Sequence, residues 1–239
     1  MSGMRDYRET VMITGASRGI GLALTRRFLD AGFQVLACAR RPVSATMLQE
    51  LRDRNSNLRI LRLDVSRPAM IRALAGRLSG ASIDILINNA GAYGPRDQAL
   101  ETLSDDARPW SQTFATNVMG PFLICRAFSD AVAQSKRKVL ASVGSVLGSI
   151  SEANSGEPYL YRASKAAVHM IMKGLHEDLK GRDIISVALH PGWVRTAMGG
   201  PDAPMEPEES ADGLFRVLTS LQEKDSGNLL DYRGKAIPW

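Results

Sequence analysis

The stretch "YLYRASKAAVH", residues 159–169, holds two tyrosines and one lysine within seven residues. On a helix, residues four apart share a face and residues six apart do not. Tyr161 can therefore hold its hydroxyl near the Lys165 ammonium, and Tyr159 cannot. A free phenol ionises near pH ~10, and a neighbouring ammonium favours its phenolate. Hydride addition to a carbonyl makes an alkoxide that needs a proton and donors aimed at its charge. Tyr161 could give that proton in reduction and, as phenolate, remove the alcohol proton in oxidation. Upstream, "ASVGSVLGS" offers Ser142, Ser145 and Ser149 as candidates to hold the substrate oxygen. Asn117 falls inside a helical pattern, where a short polar side chain is disfavoured; that placement suggests a task, such as steadying a water beside the lysine.

A second cluster stands at the start of the chain. "VMITGASRGIGLALTRRFLDAG" puts Gly15, Gly19 and Gly21 between a strand pattern and a helix pattern. Glycines there permit a sharp turn and close approach to a pyrophosphate, and the helix start offers unpaired N–H groups to its charge. The spacing is G-x-x-x-G-x-G rather than G-x-G-x-x-G. An NAD-selective site of this kind carries a carboxylate roughly twenty residues on. The chain instead reads "ACARRP", with Arg40 and Arg41 at the end of the second strand. An arginine there suits a 2′-phosphate, with Arg18 closing from the glycine loop, so NADP(H) is the expected cofactor. Asp64, ending "RILRLD", is placed to accept from the adenine amine or to cap the helix that follows.

These clusters need elements to position them. Seven apolar runs read as strands: "TVMITG", "QVLACA", "LRILRLD", "IDILINNAG", "KVLASVGS", "IISVALHPG" and "GNLLDY". Helical patterns lie between them, at approximately 19–31, 44–54, 68–80, 104–134, 158–180 and 207–222. The alternation predicts one α/β domain over residues 1–239, a doubly wound Rossmann-type parallel sheet of about seven strands. The Pro/Gly-rich segment within 193–209 is expected to be a lid on the substrate side.

Composition narrows the function class. The 239 residues carry 30 Lys and Arg against 25 Asp and Glu, a net charge of +5, and the basic residues are scattered. Nucleic-acid binding would need a clustered basic face, so no nucleic-acid partner is expected. No window approaches eighteen apolar residues and "MSGMRDYRET" lacks an apolar core, so neither a membrane span nor a leader is expected. Cys38 and Cys125 sit in apolar contexts, as buried thiols of a reducing compartment would; a cytoplasmic protein is the expectation. His169 and His176 share the Tyr161 helix without a third ligand nearby, so no metal is expected.

"TGASRGIG" (14–21), "NNAG" (88–91), Asn117 in "NVMGPF", "SVLGSI" (145–150), "YRASK" (161–165) and "HPGWVRT" (190–196) occur in an order that resembles the short-chain dehydrogenase/reductase family. The match runs across essentially the whole chain, and "SVLGSI", "YRASK" and "GKAIPW" are most similar to the sniffer-like carbonyl reductase branch. The resemblance implies an oxidoreductase that moves a hydride between NADP(H) and a carbonyl or alcohol. It implies a catalytic set of Asn117, Ser145, Tyr161 and Lys165, with Ser145 chosen because "GSVLG" fits the family's serine frame and Gly144 replaces the first serine. The implied cofactor site is Gly15, Ser17, Arg18, Gly19, Ile20, Gly21, Arg40, Asp64, Val65, Asn89, Ala90, Gly91, Tyr161, Lys165, Pro191, Gly192, Val194 and Thr196. In it, Lys165 grips the nicotinamide ribose and the 190–196 loop holds the carboxamide. Asn88 is expected to tie neighbouring strands together, and His190 to be structural.

The alternative is a protein of the same fold that binds NADP without catalysis, as a regulator or scaffold; its sign would be a broken Ser/Tyr/Lys set, and this set is complete. Apolar and aromatic groups, Tyr93, Leu147, Tyr159, Trp193, Met198 and Met205, are expected around the substrate, with Arg96 the one cation. That lining suits an uncharged aldehyde, ketone or quinone. The helices at 104–134 and 158–180 suggest a homo-oligomer, a dimer foremost. "GKAIPW" could cover its own active site or reach a neighbour's.

Overall fold

The computed structural model describes residues 8–239, so most of the N-terminal stretch read for a leader lies outside the described residues. Seven strands follow the predicted runs: β1 Thr10–Thr14, β2 Gln34–Ala39, β3 Leu58–Arg62, β4 Ile85–Asn88, β5 Val139–Val143, β6 Ile185–His190 and β7 Leu229–Asp231. They form one parallel sheet in the order 3-2-1-4-5-6-7. An eighth strand that the sequence pattern did not suggest, β8 Ala236–Ile237, pairs antiparallel with β7. Strand order reverses between β1 and β4, which opens a crevice beyond their carboxyl ends.

Alternation along the strands feeds two cores. Val11 and Ile13 of β1 face one, and Met12 faces the other. The first core is closed by α1 Gly19–Asp30, α2 Thr46–Arg54 and α7 Pro207–Ser220; the second by α3 Pro68–Arg77, α5 Gly120–Ala133 and α6 Tyr159–Leu179. Central strands are buried on both faces, which explains why they read as unbroken Val, Ile and Leu. Cys38 and Cys125 are both buried and unpaired, and burial pushes each thiol up to about 12. No described helix is long and apolar enough to cross a membrane.

Three segments differ from the sequence reading in ways that bear on the site. The single helix expected over 104–134 is divided: α4 Ala107–Phe114 passes through a π-helical turn, Ala115–Met119, into α5. Asp106 caps α4 by accepting from Arg108 N at 2.9 Å, and Asn117 sits in the π turn. The segment 193–209, expected to be a lid, includes the start of a helix: Pro207 opens α7 with Glu208 and Glu209 in its first turn, where their charge suits the helix dipole. The C-terminal residues fold onto their own subunit. Ser149 Oγ donates to the carbonyls of Pro238 and Trp239 at 2.5 and 3.1 Å, and Ser151 N donates to Trp239 O at 2.9 Å.

Candidate active site

Helix α6 carries the proposed proton donor on its buried face. Tyr161, Lys165 and His169 follow one another at steps of four and are all nearly inaccessible, whereas Tyr159 is 39% exposed. The Lys165 Nζ lies 5.5 Å from the centre of the Tyr161 ring and donates to Val143 O at 2.7 Å. The spacing argument therefore selects the tyrosine that the fold buries beside the lysine.

Ser145 is the serine that meets this pair. Its hydroxyl faces the Tyr161 phenol closely enough to work its pKa downward, and it accepts from Leu147 N at 3.2 Å. Ser142 points into the core toward Asn88 and Met172, and Ser149 is bound to the C-terminal carbonyls.

The electrostatics depart from expectation in one respect. Burial pushes the Tyr161 phenol up to about 12, against which the Ser145 hydrogen bond works downward and nearby Tyr93 adds to the rise. Burial also lowers the Lys165 ammonium to about 8. From the protein's groups alone, desolvation outweighs the expected pull of Lys165 on the phenol. The ring of Tyr93 packs on that of Tyr161, centroids 4.9 Å apart and inclined by 31°.

Asn117 is held by protein groups on two sides. Its side chain spans two elements, accepting from Ala92 N at 2.8 Å and donating to Ala92 O at 2.8 Å and Ser164 Oγ at 2.9 Å. Both polar atoms of the side chain thus brace the loop after β4 against α6. The π turn is what lets a mid-helix side chain bridge in this way.

At the cofactor end, Gly15 has φ +67°, and a Cβ there would lie 2.8 Å from Ala90 Cα. A Cβ on Gly21 would strike Gly15 O and lie 2.5 Å from Asn89 Nδ2. Both glycines are thus required by close packing of the loop on β4 and α1. A Cβ on Gly19 would lie 3.1 Å from the Thr196 methyl group, so the glycine loop and the 190–196 loop approach each other there. Ser17 in the loop and Ile20 in the first turn of α1 are half-buried, with Ile20 against the first core. Arg18 stands at the start of α1, whose first turn has no side-chain cap and no acidic residue. Arg18, Arg40 and Arg41 are exposed and make no ion pair among the described residues. A phosphate-bearing ligand would find unpaired amides and free cations together there.

Asp64 is spent on a turn rather than on a helix cap. It accepts from Ser66 N at 3.1 Å and Ser66 Oγ at 2.6 Å, while Arg67 occupies the N-cap position of α3 without a side-chain cap. Burial raises its pKa, but the Ser66 bonds and the charges of Arg40 and Arg67 together hold the carboxyl below its ordinary value. Val65 is buried in the second core, its carbonyl against Gly120. Asn89 braces the loop by donating to Thr14 O at 2.9 Å and Gly15 O at 3.2 Å, while Asn88 reaches Cys125 and Ser142. Gly91 lies against Asn117.

In the 190–196 loop, Pro191 O accepts from Ser210 Oγ at 2.7 Å, and Gly192 sits under Met205 at φ +86°. Val194 pairs with Met205, and the Thr196 hydroxyl accepts from Gly199 N at 3.0 Å. Met205 is consequently buried under this loop instead of lining a substrate cleft. Trp193 donates to Gly199 O, and Arg96 reaches across to Ala197 O, both at 2.8 Å.

A model of the short chain dehydrogenase family matches residues 9–207. The chain belongs to that family. It is similar to the C-signal of Myxococcus xanthus, with 37% identity over 71% of this chain and 100% of the relative. Among solved structures it is similar to the carbonyl reductase Sniffer of D. melanogaster (TM-score 0.90, 29% identity, 98% of this chain and 100% of that one). It also resembles the NADPH-bound carbonyl reductase from chicken fatty liver (TM-score 0.89, 33% identity, the same coverage). The protein is a hydride-transferring oxidoreductase of this family, with a carbonyl reductase-like fold.

The sequence reading assigns no role to three residues at this short-chain dehydrogenase site. Thr14 accepts from Asn89 N and Ala90 N at 3.0 and 3.1 Å, stitching β1 to the turn after β4. Gln98, fully buried, accepts from Tyr161 N at 2.9 Å and donates to Tyr93 O and Pro95 O. It thereby satisfies an unpaired amide in the first turn of α6 that Pro158 cannot cap. The third is His169, a buried ring within reach of the serine loop.

Proposed function

We propose that the protein reduces an uncharged carbonyl compound at the expense of NADPH, with Tyr161 as proton donor. The observation that carries this reading is the buried Tyr161 phenol, with the Ser145 hydroxyl facing it and Lys165 one helical turn on. NADPH, when bound, supplies the hydride. Ser145 holds the substrate oxygen and the phenol delivers a proton to it. A phenol that burial keeps protonated at neutral pH suits the reductive direction, since it begins the step with the proton in place. Lys165, lowered to about 8 yet still mostly charged near pH 7, reprotonates the tyrosine and binds the ribose.

Support for NADP(H) comes from the free cations Arg18, Arg40 and Arg41 beside an uncapped α1, and from the NADPH carried by the chicken carbonyl reductase. Tyr93 packs on Tyr161, and in this reading Leu147, Trp193 and Met198 supply the other apolar walls of the substrate site. Arg96, the one cation of that lining, donates to the Ala197 carbonyl, which ties its guanidinium to the loop. The 193–206 loop, internally bonded and latched by Arg96, is the substrate-side lid in this reading. The decisive experiment is a panel of aldehydes, ketones and quinones assayed by absorbance with NADPH and with NADH. Oxidation of NADPH by an uncharged carbonyl, with NADH much poorer, is expected; no turnover with either cofactor across the panel would overturn the reading.

A homodimer is part of the same proposal. The outer faces of α4, the π turn and α5 expose Met119 and Phe122 beside Phe114, Val118 and Ile171, around an open apolar groove of about 560 Å³. A second copy is the occupant suited to a flat helical face of this kind. Light scattering at micromolar concentration should give twice the chain mass.

A further inference from the structure

The serine loop is held by a residue outside the Ser–Tyr–Lys set. His169 is 2% exposed, and its Nε2 accepts from the backbone N–H of Ser145 at 3.3 Å. The loop is built to admit this ring. A Cβ on Gly144 would overlap Nε2, and a Cβ on Gly148 would lie 2.7 Å from Cε1. The far side of the ring meets the indole of Trp239, centroids 5.6 Å apart. Trp239 and Pro238 in turn take the Ser149 hydroxyl, so the loop is bonded at both ends.

We propose that His169 is a positioning residue for Ser145, fixing the backbone from which the serine hydroxyl reaches Tyr161 and the substrate oxygen. The inference rests on Ser145 being the serine that holds that oxygen. Ser145 is extended, φ −167° and ψ 145°, immediately before a 3-10 turn, Val146–Gly148. Its side-chain direction therefore follows its backbone. With His169 removed, the buried Ser145 N–H has no acceptor and would seek one by rotating or admitting water. A neutral ring is required to accept, and burial with the Lys165 charge keeps it neutral by lowering its pKa to about 4; the Gly148 backbone acts in the opposite sense, and His190 lowers it slightly further.

The test is a double-mutant cycle with Ser145→Ala, scored on kcat, KM and NADPH affinity. His169→Leu should lower kcat roughly tenfold, while NADPH affinity stays within about twofold. His169→Gln, whose amide reaches the Nε2 position, should restore most of the loss. In the Ser145→Ala background, His169→Leu should cost less than about twofold, because the group it positions is already gone. Equal losses in both backgrounds, or no rescue by Gln, would overturn the proposal and leave His169 a packing residue. If Ser145→Ala alone leaves kcat unchanged, the reading of Ser145 itself fails, a separate result. Should the Leu variant not fold, His169→Asn carries the same cycle, since its acceptor stops near the Nδ1 position and cannot serve Ser145 N–H.

Discussion

The two ends of the crevice are built in opposite ways. At the chemistry end, Tyr161, Lys165, Ser145 and His169 are all buried, and each has a protein hydrogen bond or a packed neighbour. At the adenine end, Arg18, Arg40 and Arg41 stand in solvent without ion pairs among the described residues. Packing fixes the first set before any ligand arrives. The second set is free to gather around an anion and offers charge at small desolvation cost. A reaction that must align a proton donor benefits from rigidity, while recognition of a charged group tolerates looseness.

Removing the phenol should show the largest effect. Tyr161→Phe should cut turnover by roughly 10²–10⁴ while NADPH binding and the unfolding midpoint hardly change. Steady-state reduction together with calorimetry checks both halves of that statement.

Acid should reach the buried end next. His169 is lowered to about 4 in the folded protein and titrates near pH ~6.5 when unfolded. Between those values the unfolded chain binds the extra proton, so stability present above about pH 6.5 is lost as pH falls toward 4. The loss should be on the order of 3 kcal/mol from this group. Urea unfolding at pH 7 and pH 4.5 should show it for the parent protein and a smaller part of it for His169→Gln.

The exposed end responds to salt and to charge removal. Arg40→Ala should weaken NADPH by about 10–100-fold, the worth of one charge-assisted phosphate contact, and leave NADH nearly untouched. NADPH affinity should also fall with added salt more steeply than NADH affinity, because these cations are screened. Calorimetric titration with both cofactors reads this directly; equal affinity of the parent protein for the two would contradict the assignment of Arg40. The smallest effect belongs to Tyr159→Phe, expected to stay within about threefold of the parent rate. A larger loss there than in Tyr161→Phe would mean that the buried helix face is not the reacting one.

Much of this architecture was legible because it depends on local pattern. Doubly buried strands write continuous apolar runs, and a four-residue step selects Tyr161 over Tyr159 without further information. The parts that could not be read depend on contacts between distant residues. Gln98 serves an amide sixty-three positions away, and nothing in its surroundings marks it. His169 reads in sequence as one more histidine of its helix, because its value appears only with Gly144 and Gly148 opposite. Those two glycines, together with a histidine one turn beyond the lysine, were the available signal. Asn117 was recognised by its unfavourable position, but the π turn that re-aims it has no simple periodicity. β8 is only two residues long, too short to write any pattern.

That short strand governs how the sheet meets other chains. A parallel sheet ends in rows of unsatisfied N–H and C=O groups, a template on which foreign strands can grow. β8 runs against β7 and covers that border with two residues before Trp239 turns away toward the serine loop. The opposite border, β3, exposes Arg59 and Arg62, whose charges repel an approaching copy. Lateral growth of the sheet into fibrils is thereby discouraged at both borders, which leaves helix faces as the surfaces for ordered self-association.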